Sequence, residues 1–90
     1  ALSAEAHFWR GEAEAAQGAW NRAARAYLAS FSGSPEAPRA PESLYRLGTS
    51  LQELGQSDEA CLTLGEVERR YPDSPSVLDA RAAMTRFGCN

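Results

Sequence analysis

Lysine is absent from this 90-residue chain, so all nine cations are arginine, set against twelve carboxylates and a formal charge of −3. That acidic balance excludes a general nucleic-acid or anionic-membrane binder, because neither polyanion could be held by counterion release. No apolar run approaches the roughly 20 residues of a membrane-spanning helix. Histidine occurs once and cysteine twice, too few for a structural zinc centre, which takes four ligands. The glycines are isolated from one another, so no phosphate-cradling loop is present. The chain is too short for a doubly wound nucleotide fold or a β/α barrel. It has no initiator Met and no charged-then-apolar leader, and reads as an excised or processed piece of a longer protein. The carboxylates are scattered along the sequence and form no pair suited to acid–base chemistry. They read instead as a solvated surface with arginine partners one helical turn away. His7 is too far along an extended array from either cysteine to act with it as a nucleophilic pair. No cofactor or metal is implied, and the chain reads as a non-enzyme.

What the sequence does contain is a repeat. Offsetting the chain against itself by 37 residues aligns Glu5 with Glu42, Gly11 with Gly48, Gly18 with Gly55, Ala23 with Ala60, Pro35 with Pro72 and Pro38 with Pro75. All but the glutamates are small residues or helix breakers, the types that fix backbone approach and turn position.

The pattern between these punctuation marks is helical. One helix is expected over Ala4 to Gln17, stopped by Gly18, and a second over Trp20 to Phe31, ended by Ser32-Gly33-Ser34-Pro35. Pro35, Pro38 and Pro41 forbid a helix interior between 35 and 41, although Pro41 suits the first turn of the next helix. That third helix runs to Leu54 and closes at Gly55. A fourth begins at Ser57 or Asp58 and ends near Tyr71-Pro72. A fifth is opened by Ser74-Pro75 and runs to about Phe87, with Gly88 as its stop. Nothing alternates with period two, so no strands are expected. Leu44, Leu47, Leu51 and Leu54 form one buried stripe on the third helix, and Ala60, Leu64 and Val67 answer it from the fourth. In the first helix the corresponding positions carry His7, Arg10 and Glu14. That face is either solvated or meets something absent from this piece.

A helix pair carrying Leu47-Gly48, Leu51, Gly55, Ala60, Leu64 and Pro72 at these spacings resembles the tetratricopeptide repeat. The resemblance implies an all-α, right-handed helical array of five helices in a single domain over 1–90. Residues 5–38 form one repeat, 42–75 a second, and 76–88 a terminal capping helix. The strings Phe8-Trp9-Arg10-Gly11-Glu12-Ala13, Ser34-Pro35-Glu36-Ala37-Pro38-Arg39-Ala40, Leu47-Gly48-Thr49-Ser50-Leu51-Gln52-Glu53-Leu54-Gly55 and Tyr71-Pro72-Asp73-Ser74-Pro75 narrow it. They are similar to the C-terminal domain of the YbgF/CpoB family of Tol-Pal-associated periplasmic proteins, which coordinate outer-membrane constriction with septal peptidoglycan synthesis. The resemblance implies a periplasmic location, and TolA and a bifunctional peptidoglycan synthase as partners. Family members trimerise through an N-terminal coiled coil. No such heptads occur here, so only the C-terminal domain is matched.

The cysteines offer a sharper expectation. In an antiparallel pair turning at 72–75, Cys61 lies about 15 Å back along one helix and Cys89 about 20 Å along the other. Their heights nearly match, and a disulfide would pin the terminal helix, which fits an oxidising periplasm. The alternative is a buried small Cys61 and a free, frayed Cys89.

The functional candidate is the concave groove. In a tetratricopeptide array the first helix of each pair lines it. By resemblance the lining positions are Glu5, Phe8, Glu12, Ala15 and Ala16, then Glu42, Tyr45, Thr49, Gln52 and Glu53, with Arg46 flanking. Phe8 and Tyr45 are 37 apart, so stacking puts them in register, where they either grip a partner peptide or pack between repeats. The partner-binding set is therefore Phe8, Glu12, Tyr45, Arg46, Thr49 and Gln52. Trp9 and Trp20 are expected to pack in the core of the first hairpin, with exposure of Trp9 as the alternative. Two other functions stay open: a self-association module that sets oligomer geometry, and a different periplasmic repeat scaffold.

Overall fold

The computed structural model describes residues 2–90. Among them the elements are five helices: α1 (Ala4–Ala16), α2 (Trp20–Gly33), α3 (Ala40–Glu53), α4 (Ser57–Arg70) and α5 (Ser76–Arg86), with no strand. The order is two helix hairpins laid side by side, with α5 packed on the second. The architecture is that of a tetratricopeptide-like helical array.

Each boundary has a local cause. The Ser3 side chain accepts a hydrogen bond from the Ala6 amide at 3.1 Å and caps the start of α1. Asp58 and Glu59 in the first turn of α4, and Arg69 and Arg70 in its last, complement the helix dipole. Gly18, Gly55 and Gly88 lie at φ of 72°, 78° and 71°, the left-handed conformation that ends a helix. The same reversed bond follows each of them: Ala19 N to Glu14 O at 2.9 Å, Gln56 N to Leu51 O at 3.0 Å and Cys89 N to Met84 O at 2.9 Å. The second helix of each hairpin stops just before Pro35 or Pro72, because the residue ahead of a proline is driven out of the helical region. The two proline loops are tied together, since the Tyr71 hydroxyl donates to the Pro35 carbonyl.

Helix approach within a hairpin is set by glycine. A Cβ added at Gly11 would sit 2.7 Å from the Tyr27 ring, and one at Gly48 would sit 2.7 Å from the Leu64 side chain. Tyr27 and Leu64 are themselves 37 apart, so both hairpins use the same contact. Leu44, Leu47, Leu64 and Val67 are buried as the stripes require, whereas Leu51 and Leu54 are only half-buried at the edge of the core. Within the first hairpin the Ser30 hydroxyl donates to the Ala4 carbonyl at 2.7 Å, and between the hairpins it lies 2.9 Å from the Ser43 hydroxyl. These bonds give the buried Ser30 and Ser43 their partners, and the buried Ser50 hydroxyl donates to the Arg46 carbonyl at 2.8 Å.

The structure bears on two expectations about α1: the open one for the face of His7, Arg10 and Glu14, and the core placement of Trp9, which is corrected. The core face of α1 is Phe8 and Gly11, and the side of His7, Arg10 and Glu14 is solvated. Arg10 Nη2 lies 3.0 Å from His7 Nδ1, and Glu14 pairs with Arg22. The equivalent side of α3, with Leu44 and Leu47, packs toward α2, and no helix among the described residues covers α1 in that way. Trp9 is not in the core. Its ring is 51% exposed, with Nε1 donating to Glu5 Oε2 at 2.9 Å.

Glycine is required at position 48 but not at Gly65, where an added Cβ meets nothing within 4 Å. Gly48→Ala is expected to destabilise the fold by about 1–3 kcal/mol through overpacking. Gly65→Ala, mid-helix and unobstructed, is expected to stabilise it by about 0.4–1 kcal/mol. Urea denaturation of the two variants checks both signs.

Candidate functional site

The hollow between the stacked hairpins is a groove of about 540 Å³, walled by α1, α3 and the end of α5. The 37-residue register extends across all three helices. Glu12, Thr49 and Arg86 are successive equivalents, and all three line it. The chain thus presents an anion, a neutral hydroxyl and a cation in order along one concave surface.

The floor is built by Tyr27. Lying over Gly11, its ring is 1% exposed, and its hydroxyl reaches the groove to donate to Glu12 Oε1 at 2.5 Å. Burial, followed by the hydrogen bond to the Glu12 carboxylate, pushes the Tyr27 phenol well above the ordinary tyrosine range. Arg46 Nε lies 3.6 Å from the same Glu12 oxygen, is itself buried, and makes no hydrogen bond. The Arg46 guanidinium stands 5.5 Å from the centre of the Tyr45 ring. Thr49 Oγ1 donates to the Arg46 carbonyl at 2.9 Å, tying that hydroxyl to its own helix. Glu12 is therefore engaged from two sides. Arg86 forms no ion pair among the described residues, although its guanidinium stands 5.3 Å from the centre of the Phe87 ring.

The expected lining set is only partly assembled here. Glu12, Tyr45, Arg46 and Thr49 line the groove together with Ala15, Ala16 and Glu53. Phe8 does not. It is 1% exposed, with its ring centre 6.0 Å from that of Tyr27 and 5.1 Å from that of Trp9. The Arg39 guanidinium stands 4.8 Å from the Phe8 ring centre. The reason is the bulk of Tyr27, which replaces the leucine of the other hairpin and draws Phe8 into an aromatic cluster. Gln52 is half-buried outside the lining, its Oε1 buried without a hydrogen bond. Glu5 and Glu42 lie outside it too, bridged by Arg39: Nε meets both Glu5 oxygens at 3.0 Å, and Nη1 meets Glu42 Oε1 at 3.0 Å. Donation from Trp9 first, and then from Arg39, holds the Glu5 carboxyl below its usual range. Five lining residues had not been expected: Trp20, Tyr27, Ser50, Arg86 and Phe87. The repeat register carries Arg86, as the next equivalent after Thr49. The reach of the Tyr27 hydroxyl has no counterpart in the Leu64 hairpin and left no such signal.

Cys61 and Cys89, 28 positions apart in sequence, are paired as a disulfide with Cα atoms 5.6 Å apart. The pair lies in a second cleft of about 400 Å³ with Ser57, Asp58, Leu62 and Phe87. Among the described residues, no group of three or more His, Cys, Asp or Glu side chains could hold a metal ion. No helix among them is long and apolar enough to cross a membrane.

Stacked helix hairpins of this kind form a tetratricopeptide-like array, an architecture that in general mediates protein–protein interaction. Consistent with that class, residues 42–74 match the family pattern of the tetratricopeptide repeat. No curated protein matches the chain.

The raised Tyr27 pKa carries a stability consequence. The folded state holds the phenolic proton more tightly than the unfolded chain does. The resulting stability is fully present below the ordinary tyrosine value of 10.0 and is lost as pH rises above it. Denaturation midpoints measured from about pH 8 to about pH 11 should fall in the wild type and fall less steeply in Tyr27→Phe.

Proposed function

We propose that this domain is a periplasmic interaction module of the Tol-Pal and cell-division machinery, of the kind found at the C-terminus of YbgF/CpoB proteins. It grips a segment of an envelope partner in its concave groove. TolA and a bifunctional peptidoglycan synthase are the partners implied by the sequence resemblance. The observation that carries this reading is the composition of the groove. Tyr45, Trp20 and Phe87 supply aromatic area at low conformational cost, and Arg46 and Arg86 supply planar donors beside them. A paired Cys61 and Cys89 agrees with an oxidising compartment.

Titration of the chain with the periplasmic part of TolA tests the proposal. Saturable binding is expected, weakened at least about tenfold by Tyr45→Ala, the size of effect expected when an aromatic anchor is truncated. No binding by the wild type at high micromolar concentration removes the TolA assignment.

Self-association is a second reading, favoured by the exposure of Trp9, Leu62 and Leu78. Sedimentation equilibrium decides it: a strict monomer across the concentration range leaves the groove as the functional surface.

A further inference from the structure

The disulfide and the groove share a residue. Phe87 lines the concave groove on one side and the cleft around Cys61 and Cys89 on the other. Arg86, the groove's unpaired cation, precedes it, and Cys89 follows two positions later. The wall that α5 contributes to the groove is therefore its last turn, and that turn is what the cysteine pair holds against α4.

The non-covalent contacts that share this task are modest: Met84 and Phe87 are only partly buried where they pack against the core. At 11 residues α5 is the shortest helix, and its buried side chains are Val77, Ala80 and Ala83, mostly too small to anchor it firmly. Leu78, on its outer side, is 70% exposed. Its ion pair to α4, Arg81 with Glu68, is solvent-exposed and correspondingly weak. Beyond Arg86 the chain is held by the backbone bonds of Phe87 to Ala83, Gly88 to Thr85 and Cys89 to Met84, by the half-buried Phe87 ring, and covalently by the disulfide alone. A short helix end of this kind frays once its covalent tether is removed. Both cysteines are partly exposed at a cleft of about 400 Å³, so a small thiol can reach them.

We infer that the Cys61–Cys89 bond is a redox clasp on the groove: it holds the Arg86–Phe87 wall in place, and its reduction by a dithiol releases that wall and weakens partner binding. The binding half rests on the groove reading above, and the structural half stands without it. In the reducing step, a thiolate of the dithiol attacks one protein sulfur, breaking the Cys61–Cys89 bond and forming a mixed disulfide. The second thiol of the reductant then displaces the remaining protein sulfur. The reductant leaves as its own disulfide, and its two thiol protons end on Cys61 and Cys89.

Hydrogen exchange of the 90-residue chain, before and after treatment with dithiothreitol, tests the clasp. The Cys61→Ser variant runs alongside as a form that cannot close it. The mass of the untreated chain should be two hydrogens short of the dithiol form. Reduction should speed exchange of the amides from Met84 to Cys89 at least about tenfold, while α1 to α3 change less than about twofold. Cys61→Ser should match the reduced chain, and reoxidation should restore protection in the wild type. Unchanged protection in α5, or a uniform rise through all five helices, overturns the inference. In parallel, the affinity for the periplasmic part of TolA should fall at least about threefold on reduction; an unchanged affinity overturns the binding half. If the oxidised chain does not bind TolA at all, the partner assignment fails while the exchange data still decide the clasp.

Discussion

The structure depends on how closely two helices can lie. At Gly11 and again at Gly48 the first helix of a hairpin offers no side chain, and a ring or a leucine from the second helix occupies the space. That contact sets the separation within each hairpin. Its recurrence 37 residues later makes the two hairpins congruent, so they stack as repeats and not merely as neighbouring helices. Repeat units of this kind bury a continuous core only by stacking on each other. The groove is the concave surface left by that stacking, and its lining follows the same register from Glu12 through Thr49 to Arg86.

The two hairpins are nevertheless unequal, and the inequality falls where the groove is. Leu64 fills its niche and ends there. Tyr27 fills the equivalent niche and carries a hydroxyl beyond it, which engages Glu12 and through it faces Arg46. One residue thus joins the core contact to the polar surface. On the outer side, the same repeat position that carries Leu44 and Leu47 in α3 carries His7 and Arg10 in α1. The first face presents ionisable groups to water where a stacking face would present leucine.

Much of the fold could be read directly from residue types. Helix ends are governed by local rules: Gly18, Gly55 and Gly88 adopt the one backbone conformation that glycine accepts freely, and Pro35 and Pro72 stop the helices before them. The expected helices accordingly match the observed ones to within one or two residues. The approach of Cys61 to Cys89 followed from helix rise and antiparallel pairing. Side-chain burial was less legible. Phe8 and Tyr45 are repeat equivalents, yet one is sealed inside and the other lies half-buried along the groove. Register fixes where a Cα sits, and the neighbours decide where the ring goes. Phe8 meets Tyr27, Trp9 and the Arg39 guanidinium, a cluster the second hairpin lacks. Trp9 was expected inside the first hairpin, but its position on α1 points outward, and Glu5 takes its indole N–H. Arg86 was within reach of the register argument, because α5 continues the repeat beyond its role as a cap.

The most direct test is a double-mutant cycle on the first hairpin, comparing Gly11→Ala, Tyr27→Ala and the combined variant by denaturant unfolding. If ring-on-glycine contact sets the helix separation, the added methyl is costly only while the ring is present. The account predicts that the two single losses exceed the combined loss by more than about 1 kcal/mol. Losses that add within about 0.3–0.5 kcal/mol would contradict it, because the glycine and the tyrosine would then be acting independently.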